Sequence, residues 1–347
     1  MYAAGIDIGS TTAKLVITDN AANIVFSEYA RHNTEVYQSL NHALENAAEK
    51  LGNILVKPVI TGSVGMGVAE KLHLPFIQEV IAASEAISKL YSGIRFFIDI
   101  GGEDSKLLYY KENGQPDIRM NGNCAGGTGA FIDQMAFLLN ISLEEFDSLA
   151  LQAKRIYPIA SRCGVFAKTD LQNLLSRQIP VADIALSVFH AVAVQAVNAL
   201  MQGIQPQPKI IFSGGPLIFM KSMQKALIQA LGVSPGDVII PDFAGSFPAV
   251  GAAINDNIYG QEIPVSELIK KIQSAKQNKT RKDNGALKPL FTSTEEYAAW
   301  ENQKKTDNVL PADISENNNT ELFLGIDAGS TTTKLAAVNK NKKIVFS

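Results

Sequence analysis

Two short segments of this chain bring together a carboxylate, a glycine turn, hydroxyls and a lysine, the groups that grip phosphate. The first is Asp7-Ile-Gly-Ser-Thr-Thr12 with Lys14. A tight turn between two strands exposes successive backbone N–H groups, and Gly9 lets phosphate oxygens approach closely. Ser10, Thr11 and Thr12 add hydroxyl donors, and Lys14 adds positive charge. Asp7 ends an apolar strand and suits Mg2+ held through water, since that ion takes carboxylate and water ligands. An ordinary Gly-Ser hairpin with Asp7 as a local cap reads the same way. The near-copy Gly325–Leu335, identical to Gly5–Leu15 at nine of eleven positions, favours the functional reading. The second segment, Phe97-Ile-Asp-Ile-Gly-Gly-Glu-Asp-Ser-Lys106, repeats the design with Asp99, Gly101, Gly102, Ser105 and Lys106. Such a pair suits two lobes that face each other across a cleft. A third segment, Ile210-Ile-Phe-Ser-Gly-Gly-Pro216, runs a buried strand into Gly214, Gly215 and Pro216, which can pass beneath a nucleotide.

The two cysteines stand in glycine-rich settings of their own. Asn121-Gly-Asn-Cys-Ala-Gly-Gly-Thr-Gly129 puts Cys124 ahead of a helix expected over 130–139, and Ser161-Arg-Cys-Gly164 puts Cys163 ahead of one over 165–175. Unpaired N–H groups and the dipole at a helix N-terminus favour a thiolate. Gly126, Gly127 and Gly129 leave room for a bulky anion. Two thiolates are too few for a cubane iron–sulfur cluster, which takes four, but a two-fold dimer supplies four. Inert buried cysteines and zinc in a dimeric four-cysteine site stay open as alternatives. The histidines at 32, 42, 73 and 190 form no ligand pattern and read as structural or surface residues.

Alternating strands and helices must position these groups. Residues 3–8 and 15–18 flank Gly9 and Ser10 as a hairpin, with a third strand at 24–29. Helices are expected over 36–51 and 77–91, and strands over 59–61 and 96–100. Pro248–Ile254 reads as a helix of small residues able to pack closely on another. This order specifies an α/β protein. From 261 to 320 the chain turns polar and aperiodic, as a linker does, with one short helix near 294–304. Residues 321–347 repeat the N-terminal hairpin, so the sequence reads as one complete domain plus the opening of another. Within the first, lobe I takes 1–94 with a returning helix at 247–260, and lobe II takes 95–246.

Charges of both signs nearly balance, with a formal net charge of −3, which excludes the footprint of a nucleic-acid binder. No apolar run reaches the roughly 18 residues of a membrane span, and the first residues lack a secretory pattern. A cytoplasmic protein in a reducing compartment, without membrane contact, is expected.

The order of motifs over about residues 3–258 resembles the superfamily of actin, hexokinase-like sugar kinases and Hsp70. That resemblance implies two ribonuclease-H-like lobes closing over Mg-ATP. The pairing of Asn-Cys-Ala-Gly-Gly-Thr-Gly with Ser-Arg-Cys-Gly-Val-Phe resembles a narrower family, the ATP-dependent activators of 2-hydroxyacyl-CoA dehydratases and the related benzoyl-CoA reductase ATPase subunits. It implies a [4Fe-4S] cluster ligated by Cys124 and Cys163 from two subunits or two repeats. ATP hydrolysis to ADP would then drive a low-potential electron into an iron–sulfur dehydratase or reductase, drawn from a donor such as ferredoxin or flavodoxin. Asp7 and Asp99 would position Mg2+ and water. Gly9, Ser10, Thr11, Thr12, Lys14, Gly101, Gly102 and Ser105 would grip phosphates, with Gly214, Gly215 and Pro216 on the adenosine side. Glu103 stands where the family often carries Gln, and would either act on the attacking water as a base or repel the γ-phosphate. A sugar or small-metabolite kinase of the same fold, and a nucleotide-gated binding protein without enzymatic activity, are the competing readings. No sugar-binding signature supports the kinase, and the binding protein leaves the cysteine motifs unexplained.

Overall fold

A computed structural model of the chain describes residues 2–111, 116–122, 125–160, 163–256, 260–277, 289–306, 321–329 and 332–346. Residues 1–279 form one compact unit and 280–347 a second.

The first unit opens with strands β1 (Tyr2–Ile8), β2 (Thr12–Thr18) and β3 (Ile24–Arg31), then helix α1 (Val36–Leu51), strand β4 (Leu55–Thr61) and helices α2 (Gly65–Leu72) and α3 (Glu79–Leu90). The same hairpin logic restarts with β5 (Phe96–Ile100), β6 (Ser105–Tyr110) and β7 (Pro116–Asn121). Helices α4 (Gly129–Leu138), α5 (Leu143–Ala150), α6 (Gly164–Ser176) and α7 (Val181–Met201) follow. Strand β8 (Ile210–Ser213), helices α8 (Gly215–Phe219) and α9 (Lys221–Leu231), strand β9 (Val238–Ile239) and helix α10 (Phe247–Ala253) come next. Strand β10 (Ile263–Pro264) and helix α11 (Val265–Gln277) close the unit.

Two five-stranded sheets result, in the orders β10-β4-β1-β2-β3 and β9-β8-β5-β6-β7. In each, an antiparallel meander pairs its first strand with a later parallel strand, β1 with β4 and β5 with β8. Strand β5 is buried along its whole length, as a central strand covered on both faces must be. Three cores hold the sheets. Ile6, Ile8 and Leu15 pack under α1, α2 and α11. Ile98, Ile100 and Leu107 pack under the helices of the second half. Between the sheets, α3 and α10 fill a third core with Val16, Phe97, Ile211 and Phe247. There the small residues act as expected: a Cβ added at Gly5 would lie 1.8 Å from Ala249 O, and one at Gly251 would lie 1.8 Å from Ala82 O.

One expectation is corrected. Residues 263–277 are not linker, because Val265, Leu268 and Ile272 of α11 are fully buried in the first core. Their single stripe is hidden in sequence by Glu267, Lys270, Lys271 and Gln273 around it. Helix α7 is long and apolar enough to match a membrane span by composition. It is instead the buried spine of the second core, with Ile184, Val188, Phe189 and Val192 fully covered. Two of its polar interruptions are paired: Asp183 accepts from Lys154 N at 2.7 Å, and Ser187 Oγ accepts from Tyr157 N at 2.8 Å.

The second unit contains α12 (Thr294–Thr306) and a three-stranded sheet of β11 (Leu322–Ala328), β12 (Thr333–Asn339) and β13 (Ile344–Phe346). Its pairing Asp327↔Lys334 reproduces Asp7↔Lys14 of the first unit. Residues 278–288 and 307–320 of the expected linker lie outside the described residues.

Candidate functional site

The ends of β1, β5 and β8 meet at a cleft of about 310 Å³ between the two sheets. Each of the first two strands turns back at a glycine in the same way: Gly9 N donates to Thr12 O at 2.9 Å, and Gly101 N donates to Asp104 O at 2.8 Å. The turns face each other so closely that a Cβ on Gly102 would lie 2.5 Å from Thr11 Oγ1. His32 braces the first turn from beneath. Its buried ring contacts Gly9 O through Nε2 at 3.0 Å while Nδ1 accepts from Thr34 N at 3.1 Å, which fixes the Nε2–H tautomer. The third turn needs glycine: Gly214 has φ +93°, and a Cβ there would lie 2.0 Å from Ile100 O.

Strand alternation decides which side chains reach the cleft. Asp7 and Lys14 pair across β1–β2, and Asp99 and Lys106 pair across β5–β6, all four on the cleft-facing side. The next register position pairs Ser105 with Ile100, which faces the second core, so Ser105 is fully buried and does not line the cleft. Glu103 lies exposed on the outside of its turn and does not line the cleft either. Of the residues expected to bind or act, Asp7, Gly9, Ser10, Thr11, Thr12, Lys14, Asp99, Gly101, Gly102, Gly214, Gly215 and Pro216 come together there. Several were not foreseen, chiefly Glu79 and Asp104, with Tyr29, Arg31 and Phe219 towards the mouth. No local signal marked Glu79, which lies in the first turn of α3 with α2 between it and the glycines that follow β4.

Four carboxylates, Asp7, Glu79, Asp99 and Asp104, share the floor with two lysines. Lys14 Nζ lies 2.7 Å from Asp7 Oδ2. Lys106 Nζ takes other partners than its cross-strand Asp99: Asp104 at 2.7 Å and Glu79 at 3.0 Å. Ser213 Oγ donates to Asp99 Oδ2 at 2.6 Å. Burial and the negative charges of Asp7, Asp99 and Asp104 push Glu79 up to about 7, against the opposing pull of Lys106. Asp99 is raised too, first by burial and then by Asp104, with Lys106 and Ser213 opposing. Burial pulls both lysines down, but the carboxylates outweigh it and raise them, Asp7 for Lys14 and Glu79 with Asp99 for Lys106.

Excess negative charge with a buried acceptor left unpaired calls for a cation. Asp7 Oδ1 is that acceptor, fully buried without a hydrogen-bond partner. Among the described residues no three His, Cys, Asp or Glu side chains converge on one point. A cation that keeps most of its waters and takes one or two carboxylates plus phosphate oxygens, as Mg2+ does, fits Asp7 and Asp99.

The second glycine turn is tied directly to α4. Gly129 N donates to Gly101 O at 2.9 Å and Ala130 N to Gly102 O at 2.7 Å. Two of the glycines expected to leave room for an anion pack closely: a Cβ on Gly127 would lie 3.3 Å from Ala196 N of α7, and one on Gly129 3.2 Å from Gly101 O. Cys163 is a half-buried free thiol at the N-cap of α6. Cys124 lies outside the described residues.

With this geometry in hand, comparison with known proteins is specific. The model of the BadF/BadG/BcrA/BcrD ATPase family matches residues 4–255. The chain is 30% identical over 258 residues to the 2-hydroxyisocaproyl-CoA dehydratase activator of Clostridioides difficile, covering 73% of this chain and 94% of that one. It is 31% identical over 263 residues to the activator of lactoyl-CoA dehydratase of Anaerotignum propionicum, covering 73% and 96%. The solved structure of the 2-hydroxyisocaproyl-CoA dehydratase activator of Clostridium difficile with bound ADPNP superposes with a TM-score of 0.64 at 27% identity, over 83% of this chain and 100% of that one. The two halves thus form the actin/hexokinase/Hsp70 fold around a nucleotide cleft.

Proposed function

Since this chain belongs to the BadF/BadG/BcrA/BcrD ATPase family, we propose that it is an ATP-driven iron–sulfur activator that passes a low-potential electron to an acyl-CoA dehydratase or reductase. The observation that carries this reading is the pair of backbone hydrogen bonds from Gly129 and Ala130 to Gly101 and Gly102. They join a phosphate turn to the first turn of α4, five residues after Cys124 in sequence. A change at the γ-phosphate would thereby move the end of α4 that follows this cysteine.

In the cleft, Asp7 and Asp99 would hold Mg2+ through water, and Asp7 Oδ1 is the atom left free for it. The hydroxyls of Ser10, Thr11 and Thr12 would bind the phosphates, Gly9, Gly101 and Gly102 would let them approach closely, and Lys14 would offset their charge. Glu79 would take the proton of the attacking water, its carboxylate being poised near neutrality by burial and its acidic neighbours. It replaces Glu103 in that role, because Glu103 does not line the cleft. A [4Fe-4S] cluster ligated by Cys124 and Cys163 from two copies would supply a one-electron carrier. The half-buried thiol of Cys163 at a helix N-terminus supports that ligand assignment. Two copies of this chain, or two repeats in a longer one, would complete the four thiolates. The electron would come from a donor such as ferredoxin or flavodoxin in the cytoplasm.

The test is iron, acid-labile sulfide and ATPase rate on anaerobically purified protein. About four iron atoms per two chains, lost in Cys163→Ser and in Cys124→Ser with ATP binding retained, is the expected result. Absence of iron after reconstitution, with ATP still hydrolysed, would remove the electron-transfer half of the proposal.

A further inference from the structure

Phe219 is left 62% exposed although it is a large aromatic side chain, and the surface it exposes lines the cleft. It ends α8, four residues after Gly215. Tyr29, reaching over from β3 of the other sheet, meets it with ring centroids 5.3 Å apart and planes at 67°. At that angle Tyr29 does not stack on Phe219, and most of the Phe219 side chain stays exposed. Tyr29 is held in place by contacts on its other sides. A Cβ on Gly215 would lie 2.8 Å from its hydroxyl, and one on Gly245 would lie 3.4 Å from its ring. Lys14 Nζ lies 5.7 Å from the same ring. Contacts thus link Lys14 of the phosphate turn to Tyr29 and Tyr29 to Phe219, all three lining the cleft. Leu143, Pro216 and Met220 line the cleft as apolar neighbours, while the carboxylates and lysines hold its floor. An exposed aromatic ring in that position gains most from a flat π-surface laid upon it.

We propose that Phe219 is the stacking platform for the nucleobase, with Tyr29 setting its orientation, so that the cleft selects a nucleotide over bare polyphosphate. The inference rests on reading the cleft as an ATP site. Calorimetric titration of the full chain with Mg-ATP, Mg-ADP and Mg-tripolyphosphate tests it. Phe219→Ala should weaken both nucleotides by about 10- to 100-fold, equivalent to about 1.4–2.8 kcal/mol. Tripolyphosphate affinity should stay unchanged, and Phe219→Trp should bind ATP as the wild type does. Equal ATP affinity in Phe219→Ala and wild type, as a ring reserved for a protein partner would give, overturns the proposal. So does a parallel loss of tripolyphosphate, which would signal a general disturbance of the cleft. A wild-type chain that binds tripolyphosphate but neither nucleotide overturns the ATP reading itself.

Discussion

Glu79 is a carboxylate surrounded by carboxylates, and its behaviour follows from that company. Burial first, then Asp7, Asp99 and Asp104, raise it to about 7, while Lys106 at 3.0 Å keeps it from rising further. If it accepts a proton from the attacking water, kcat/KM for ATP should climb as pH rises through about 7, since that ratio reports the free enzyme. Glu79→Gln should lower kcat by about 10²- to 10⁴-fold and abolish that limb, with ATP affinity retained. A full rate in this variant would exclude the residue from the chemistry. The same shift affects stability with a definite sign. Between the ordinary 4.5 and about 7, folded Glu79 keeps a proton that the unfolded chain has lost. The unfolded state then binds fewer protons, so stability falls as pH rises across that window. Urea titrations of the nucleotide-free protein should show this slope, and Glu79→Gln should flatten it. The Asp-Gly turns were legible in sequence because residue types and spacing define them locally. Glu79 was not, because only the fold brings α3 beside them. Ser105 was misread for the converse reason: it is local to the motif, but strand alternation turns it into the core with Ile100.

At the scale of elements, backbone approach is the controlling quantity. Helix α10 fits between β1 and α3 only because the contact points lack side chains, and at Gly251 an added methyl group would sit 1.8 Å from Ala82 O. Neither partner is a flexible side chain, so the helices themselves must separate. Gly251→Ala should therefore destabilise by about 1–3 kcal/mol or more, despite the better helix propensity of alanine. Gly67 provides the contrast. It lies exposed within α2, with nothing within 4 Å of an added Cβ. Gly67→Ala should stabilise by about 0.5–1 kcal/mol. Equal urea midpoints for the two variants would contradict the packing argument. The sequence already marked Pro248–Ile254 as a close-packing helix, since small residues crowded into one turn have few other uses. Its partner α3 could not be named from sequence, because the contact joins residues far apart in the chain. Helix α7 shows the opposite difficulty. Its few polar residues broke the apolar run in sequence, yet Asp183 and Ser187 are paired where the helix lies in the core.

At the scale of the whole molecule, the two units differ in how completely they bury the same hairpin. In the first, Ala4, Ile6 and Leu15 are 0%, 0% and 1% exposed. Their counterparts at an offset of 320, Leu324, Ile326 and Leu335, are 62%, 64% and 44% exposed. Similar local sequence thus forms the same antiparallel register, and burial depends on helices the second unit does not contain among its described residues. Three strands with an open apolar face are a template for association. The polar stretch before them hid where the first unit ends, because α11 presents one apolar stripe on an otherwise charged helix. Two truncations separate these effects. A chain of residues 1–279 keeps α11 and its three fully buried side chains, and removes the open sheet. It should retain the melting temperature and ATP affinity of the full chain, with less aggregation by light scattering. A chain ending at 260 loses Val265, Leu268 and Ile272 from the first core, each worth about 1.5–3 kcal/mol when fully buried. That chain should unfold several kcal/mol more easily and lose nucleotide binding with it, because β1 and Asp7 rest on the same core. If the shorter chain were as stable as the longer, α11 would be an appendage rather than part of the domain, and the boundary would return to 261.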